Sequence, residues 1–177
     1  DRLDGWPDSV RAMQRDWIGR QHGSTVEFVV EGHGPVEVFT TRLDTVFGVT
    51  FFALAPDHPI AQDVASENDD VAHFIEEVAD PDGDEPQGVA TDLTATNPAT
   101  GEEIPVFVAD FVLSDVGTGA LMGVPGHDDR DHRFAESMGV DITPVVAPAD
   151  GESADEATTP DVSESAFTDD GVLVNSG

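Results

Sequence analysis

The chain has 177 residues, which is enough for one domain with a hydrophobic core. It contains no cysteine, so disulfide bonds and thiolate metal sites are excluded. It has no run of about 18 apolar residues and no signal-peptide pattern, so we expect a cytoplasmic protein that does not cross a membrane.

The charge balance is strongly acidic. There are 37 Asp and Glu residues against 7 Lys and Arg, a net charge of −30, and every basic residue is arginine. A disordered acidic chain is one interpretation, but 38% hydrophobic content in periodic runs favours a folded domain adapted to high salt. At 1 M salt the Debye length falls to about 3 Å, which screens repulsion between surface carboxylates. The same surface argues against general affinity for nucleic acid and limits any RNA contact to a local pocket.

The first half of the chain has helical and strand-like patterns in alternation. Pro7 and Asp8 suit the first turn of a helix, and apolar residues recur at helical spacing after them. A Gly-His-Gly-Pro turn joins two strand-like runs, which predicts a hairpin. The predicted elements are a helix at 7–20, strands at 25–30, 36–41 and 46–54, and helices at 58–65 and 69–78.

The second half continues this mixture. Gly139 is expected to end a helix. Residues 147–165 have almost no large apolar side chain, so we expect a flexible acidic surface loop there. The other predicted elements are strands at 104–109, 120–124 and 142–146, a helix at 128–138, and a turn and strand over 167–174. Several strands with short peripheral helices indicate an α+β, β-barrel-like domain.

The first candidate site is the polar segment Thr40-Thr41-Arg42-Leu43-Asp44-Thr45 between two apolar runs. Its hydroxyl groups both donate and accept hydrogen bonds, which suits ribose hydroxyls and an ester carbonyl. A strand-end turn in which threonines bond their own backbone is the alternative, since threonine is common in strands and turns.

The second candidate site runs from Gly117 to Asp131 and includes Val124-Pro125-Gly126-His127-Asp128. Its glycines permit close approach of the backbone to a ligand. Alternatively, Asp128 caps a helix and Asp131 complements the helix dipole in the first turn.

A metal site is a further interpretation of this segment. His127 and Asp131 are four residues apart, as are Asp128 and His132, so each pair could share one helical face. A third ligand is not evident in the sequence, and we expect no metal to bind.

Both segments resemble the editing domain of leucyl-tRNA synthetase, a fold shared with the valyl and isoleucyl enzymes. Segment 40–45 resembles Thr-Thr-Arg-Pro-Asp-Thr, with Leu43 in place of proline, and segment 126–131 resembles Gly-His-Asp-x-Arg-Asp. Val116 stands where tyrosine is frequent. The resemblance covers nearly the whole chain, except 66–90 and 147–165. It implies a lead-in helix and linker at 1–24 and the editing domain at 25–177.

The resemblance implies hydrolysis of the aminoacyl ester of mischarged tRNA(Leu). Asp131 would hold the substrate α-ammonium group, and Thr40 and Thr41 would contact the terminal adenosine and the ester. Thr45 would obstruct the γ-branched leucine side chain, so that Leu-tRNA(Leu) is spared. The implied catalytic residues are Asp131, Thr40, Thr41 and Asp128, and the implied substrate-binding residues are Arg42, Asp44, Thr45, Met122, Val124 and His127.

The implied partners are the 3′ acceptor end of mischarged tRNA(Leu) and the rest of the parent synthetase, and we expect a monomer. Editing would need no cofactor, since ATP and Mg²⁺ belong to the separate catalytic domain of the parent. Two alternatives stay open: an inactive remnant that only binds the tRNA acceptor end, and an unrelated acidic domain that binds divalent metal.

Overall fold

The computed structural model describes residues 23–78, 85–114, 117–148 and 159–175. The predicted helix at 7–20 lies outside these ranges, as do residues 1–22 of the lead-in and 149–158 of the predicted loop. The strands are β1 (Ser24–Val30), β2 (Gly34–Thr40), β3 (Phe51–Leu54), β4 (Gly88–Thr96), β5 (Glu103–Ala109), β6 (Ala120–Gly123), β7 (Val146–Ala147) and β8 (Val172–Leu173). The helices are a 3-10 helix (Leu43–Gly48), α1 (Pro59–Ala65), α2 (Asp69–Glu77) and α3 (Asp129–Met138).

The first six strands form one sheet in the order β2-β1-β4-β5-β3-β6, and β7 pairs with β8. The large sheet is mostly antiparallel, with β3 and β5 as its parallel pair. Strands β1 and β2 form the predicted hairpin, from Ser24 opposite Thr40 to Val30 opposite Gly34. The sequence pattern predicts no strand at β4, whose register shifts between Ala90 and Thr94 and interrupts the alternation of buried side chains.

The sheet curls as a barrel does. Edge strands β2 and β6 approach within 8 Å between Cα atoms, and the Thr118 hydroxyl donates to the Glu37 carbonyl across the gap. No backbone ladder joins β2 to β6 in the described ranges. The α+β prediction is therefore confirmed, while the barrel is not closed by hydrogen bonds between the described strands.

Two hydrophobic clusters cover the two faces of the sheet. Successive side chains of a strand point to opposite faces, so Phe52 packs in one cluster and Phe51 in the other. Phe52 lies with Val38, Val106 and Met122 inside the curl. Phe51 lies with Phe107 and with Phe134 of α3. This second cluster fixes α3 against the sheet.

The predicted strand at 46–54 is partly wrong. Residues Leu43–Gly48 form the 3-10 helix, and strand β3 begins only at Phe51. The Asn97 side chain donates to Val46 O at 3.0 Å, and Asn97 is 1% exposed. Together with a 3.3 Å hydrogen bond from Val49 N, this contact satisfies the Val46 carbonyl within the 3-10 helix.

The other predicted helices in the described ranges are confirmed, and each begins at a side-chain cap. His58, Asn68 and Asp128 accept hydrogen bonds from backbone N–H groups of the first turn. Gly139 ends α3 in the left-handed conformation, with φ 68°. These short helices are specified locally.

The predictions for residues 142–165 need correction. The strand begins only at Val146 and ends at Ala147, which is fully buried. Val162 is also buried, and its carbonyl accepts a 2.8 Å hydrogen bond from His132 Nε2. Two residues of the predicted loop in the described ranges, Ala147 and Val162, are therefore buried, and Val162 is bonded to α3. In the described ranges, no helix is long and apolar enough to cross a membrane.

Candidate functional site

The polar segment 40–45 lies where β2 ends and the 3-10 helix begins. Thr40 Oγ1 accepts a hydrogen bond from Arg42 N at 3.0 Å, which turns the chain away from the sheet. The Arg42 guanidinium donates to both oxygens of Asp44, at 2.9–3.2 Å. These hydrogen bonds raise the pKa of Arg42 and lower that of Asp44. Arg42 and Asp44 thus form a charged pair within segment 40–45. Thr41, which precedes Arg42 in the chain, is exposed.

Thr45 is buried at the start of the 3-10 helix, with 2% exposure. Its hydroxyl donates to Arg42 O at 2.9 Å, and its backbone N–H donates to the same oxygen at 3.1 Å. The hydroxyl is therefore engaged, and the methyl group is the part of this side chain left to contact a ligand.

Asp131 is a buried carboxylate in the first turn of α3, with 3% exposure. Its Oδ2 accepts from Val124 N at 3.0 Å, and its Oδ1 accepts from Arg130 Nη2 at 3.2 Å. Burial and the nearby charge of Asp128 raise the pKa of Asp131 to about 6, against the opposing effects of the bonds to Val124 and Arg130. The carboxylate is still mostly ionised at neutral pH.

Asp128 and His127 fix the start of α3, whose first turn carries Asp131. Asp128 Oδ1 accepts from the N–H groups of Arg130 and Asp131 at 2.9 and 3.0 Å, which makes it the N-cap of α3. His127 Nε2 accepts from the N–H groups of Val145 and Val146 at 2.8 and 3.1 Å. Its Nδ1 must then carry the proton and donate to Phe167 O at 2.8 Å. Burial lowers the pKa of His127, which keeps this ring neutral.

The two polar segments meet at one end of the curled sheet. Gly48 ends the 3-10 helix and Gly126 follows β6, and both approach the same carbonyl of Thr143. A Cβ atom would lie 2.9 Å from this oxygen at Gly48 and 2.8 Å from it at Gly126. Thr50 N also donates to Gly123 O at 3.1 Å, which aligns the start of β3 with the end of β6.

Met122 and Val124 are buried in the inner cluster together with Val46 of the 3-10 helix. Val46 follows Thr45 in the chain, so the apolar residues expected to line a substrate pocket pack in the same cluster as the neighbour of Thr45. His127 comes close enough to this segment for the charges of Arg42 and Asp44 to act on its pKa. The structure thus brings the predicted residues of the two motifs into one region.

Three features of this region have no counterpart in the sequence prediction. Arg130 bonds Asp131 and stacks on Phe111, and the Thr50 hydroxyl is buried without a hydrogen-bond partner in the described part of the chain. Arg130 lies within the motif 126–131, which could have drawn attention to it. Phe111 and Thr50 carry no such signal, because their positions depend on long-range packing.

The structure does not support the metal-binding interpretation. His127 precedes α3, and both of its ring nitrogens bond the backbone. His132 Nε2 is likewise engaged by Val162 O. Over the described ranges, no three His, Cys, Asp or Glu residues are grouped so as to hold a metal ion. A surface cavity lined by His33, Asp63 and Asp92 lies away from both motifs.

The fold and the site together define an α+β domain with a polar site at one end of a curled, mostly antiparallel sheet. The model of the family described as leucyl-tRNA synthetase, editing domain, matches residues 15–177. A leucine–tRNA ligase from Halobacterium salinarum is 63% identical over the whole chain, and one from Alkalilimnicola ehrlichii is 50% identical over the whole chain. The chain covers 20% and 21% of these two relatives.

A crystal structure of the Agrobacterium radiobacter K84 agnB2 LeuRS-tRNA-LeuAMS ternary complex is similar to this fold, with a TM-score of 0.67 and 37% identity. The match covers 89% of this chain and 20% of that one. The chain belongs to the leucyl-tRNA synthetase editing domain family, and it spans about a fifth of the length of the relatives it matches. The acidic, lysine-free composition agrees with its similarity to a protein from a Halobacterium.

Proposed function

We propose that this chain hydrolyses the aminoacyl ester of mischarged tRNA(Leu) and spares Leu-tRNA(Leu). The observation that carries the proposal is the buried Asp131 carboxylate, held by the Val124 N–H at the end of the sheet that also carries the hydroxyls of Thr40 and Thr41. A carboxylate can pair with the α-ammonium group of an aminoacyl ester, and hydroxyls can bond its ribose and carbonyl.

Hydrolysis of an aminoacyl ester requires the protein mainly to position the substrate and a water molecule. An aminoacyl ester is already activated, so fixing it beside a water molecule and polarising its carbonyl accounts for a large acceleration. The region offers no evident general base, since His127 uses both nitrogens in backbone bonds. We propose that the free ribose hydroxyl of the terminal adenosine orients the attacking water.

Exclusion of leucine is proposed to be steric. One methylene in an apolar pocket is worth only about 1–3 kcal/mol, so the synthetic site alone cannot reject smaller or isosteric side chains strongly. A second pocket too small for leucine multiplies the selectivity. Thr45, Met122 and Val124 are all buried, which supports a tight wall at this place.

The proposed partners are the acceptor end of tRNA(Leu) and the remainder of the synthetase. The Agrobacterium relative was solved with tRNA, and this chain corresponds to a fifth of its length, which supports both partners. The net charge of −30 confines the RNA contact to a local pocket. We propose that no metal takes part in editing and that ATP and Mg²⁺ serve the separate catalytic domain of the parent.

The test is deacylation of Ile-tRNA(Leu) beside Leu-tRNA(Leu) by the full-length synthetase that contains this chain, in molar KCl. We expect rapid hydrolysis of the first substrate and little of the second. The Asp131→Ala variant should lose this hydrolysis while it still charges tRNA with leucine. Parental hydrolysis by a folded Asp131→Ala enzyme would refute the assignment of Asp131, and absence of hydrolysis in the parent would favour a remnant that only binds tRNA.

A further inference from the structure

We propose that Arg130 is a positioning residue for this hydrolysis: stacked on Phe111, it holds the Asp131 carboxylate ready to receive the substrate ammonium group. The inference rests on the proposed function and adds to it two residues, Arg130 and Phe111, that act through Asp131.

The Arg130 side chain is fixed on two sides. Its Nη2 and Nε donate to Asp131 Oδ1 at 3.2 and 3.4 Å. Its Cζ lies 4.7 Å from the centroid of the Phe111 ring, over the ring face. Phe111 packs edge-on against Phe134, with ring centroids 5.2 Å apart, and Phe134 is fully buried. The guanidinium therefore lies on an aromatic ring that packs against a fully buried residue of the hydrophobic core.

The position of Arg130 at the start of α3 is unfavourable for a positively charged residue. It lies in the first turn of α3, where the helix dipole disfavours a positive charge. Adjacent residues of a helix also do not face each other, so Arg130 and Asp131 would not pair on an ordinary helix surface. Arg130 nevertheless bonds Asp131 while its guanidinium lies over the Phe111 ring, which supports the side chain in this position. In a chain with only 7 basic residues, this placement of a cation at a buried carboxylate is best explained by the site.

The geometry leaves the carboxylate able to take a further partner. Oδ1 accepts from two N–H groups of Arg130, and in the described part of the chain Oδ2 accepts only from Val124 N. Because a carboxylate oxygen offers about two acceptor positions, Oδ2 keeps one for a ligand. Val124, which directly follows β6, and Arg130 thus fix the orientation of the two carboxylate oxygens. An incoming ammonium group would meet a carboxylate that cannot rotate.

The charged groups that act on Asp131 in the described part of the chain are Asp128 and Arg130, while the residue after β6 faces it with the uncharged Val124 N–H. Asp128 and burial favour the protonated carboxyl, and Arg130 favours the carboxylate. Removal of Arg130 therefore leaves a buried acid beside another acid. Its pKa should rise further above 6, so a larger fraction of the carboxyl would be protonated near neutral pH and unable to pair with an ammonium group.

The experiment uses the full-length synthetase with Arg130→Gln, Arg130→Lys and Phe111→Leu, and Arg133→Gln as the matched control. Arg133 is on the same helix but exposed, and its partners are the Asp129 carbonyl and Glu85. Two hydrolysis-resistant probes are compared: 3′-isoleucylamino-3′-deoxyadenosine, and its N-acetyl form, which lacks the ammonium group. Dissociation constants are measured in molar KCl, beside the pH profile of Ile-tRNA(Leu) deacylation between pH 5 and 8.

We expect Arg130→Gln to weaken binding of the free-amine probe about twofold at pH 7 and about tenfold at pH 5, and to leave the N-acetyl probe unaffected. The acid limb of the deacylation profile should move up by about one pH unit, the lower end of the effect of a close opposite charge. Phe111→Leu should act in the same direction but less. Arg133→Gln, with the same change of charge, should match the parent in every measurement.

Arg130→Lys separates charge from orientation and serves if Arg130→Gln does not fold. Lysine keeps the charge but lacks the planar fork and its stacking. The acid limb should therefore stay near its parental position while kcat falls. Parental kcat in Arg130→Lys, or parental binding of the free amine by Arg130→Gln, would overturn the role of Arg130. A parent that binds the free-amine probe no better than the N-acetyl form would instead overturn the proposed function of Asp131.

Discussion

Asp131 is a buried acid that is mostly ionised at neutral pH, and this combination has a cost in stability. Its pKa in the folded chain is about 6 against an ordinary value of 3.8, chiefly because burial disfavours the charge. One pKa unit corresponds to about 1.4 kcal/mol, so the ionised form destabilises the fold by up to about 3 kcal/mol. An acidic residue that served only to complement the helix dipole would be exposed to solvent, as Asp129 is two residues earlier.

The Asp131→Asn variant tests this cost. Because the folded state binds the proton more tightly than the unfolded state, the parent loses stability as pH rises from about 4 through 6. Asparagine has no such loss and can still accept from Val124 N. The advantage of the variant should therefore grow by up to about 2 kcal/mol between pH 4.5 and 7.5. The measurement is the difference in unfolding free energy at each pH, and a difference independent of pH would contradict the raised pKa.

Thr45 offers a test of leucine exclusion at a single side chain. Thr45→Ala removes the methyl group and the hydroxyl bond to Arg42 O, whereas Thr45→Val removes only the bond and keeps the bulk. We expect Thr45→Ala to raise hydrolysis of Leu-tRNA(Leu) relative to Ile-tRNA(Leu) about tenfold, the effect of roughly one methylene. Thr45→Val should still spare Leu-tRNA(Leu). If both variants change the two rates alike, Thr45 acts on the stability of the 3-10 helix and not on selectivity.

At the scale of the element, α3 depends on the Asp128 cap, which can be separated from the Asp128 charge. Asp128→Ala removes two hydrogen bonds to the first turn and should cost about 1 kcal/mol of unfolding free energy. Asp128→Asn keeps a good capping side chain but removes the negative charge that raises the pKa of Asp131. Its stability should be near parental, and the acid limb of deacylation should move to lower pH. An acid limb in Asp128→Asn at the parental pH would show that the charge of Asp128 does not reach Asp131.

The elements that sequence patterns predict correctly are those with local signals. Helix α3 has a capping aspartate and a left-handed glycine at its end, and the β1–β2 hairpin has alternating burial and glycines in its turn. The sequence pattern does not distinguish the 3-10 helix from β3, because apolar residues recur through both elements. Its shape depends on Asn97, which lies far along the chain.

The residues of the candidate site also divide into those with a local sequence signal and those without one. The two sequence motifs identify the acidic and hydroxyl residues of the candidate site, because these residues lie close together in the sequence. The Thr143 carbonyl on which Gly48 and Gly126 meet, and the Phe111 ring under Arg130, are supplied by distant segments. Such contacts come from the packing of the sheet against α3 and leave no local pattern. The roles assigned to Thr40, Thr41 and the other site residues stay predictions.

At the scale of the whole molecule, each of the three arginines in the part of the chain that the structure describes lies against a carboxylate. Arg42 pairs with Asp44 and Arg130 with Asp131, and both pairs belong to the candidate site. Most of the acidic residues therefore have no basic partner to offset their charge, since the chain has 37 acidic and 7 basic residues. Their mutual repulsion opposes folding at low ionic strength, and screening by salt should relieve it.

Stability of the chain should therefore rise with salt into the molar range. Screening is nearly complete once the Debye length is about 3 Å, near 1 M, so most of its effect on the thermal midpoint should fall below that concentration. A continued rise above 1 M would come from exclusion of salt from the protein surface, which strengthens apolar burial. The two causes separate when KCl is compared with sucrose, which is also excluded but does not screen charge. The midpoint should rise steeply with KCl at low concentration and only gradually with sucrose. A midpoint that is flat or falling between low and molar KCl would contradict adaptation to high salt, because 30 uncompensated charges would then have no measurable effect on the fold.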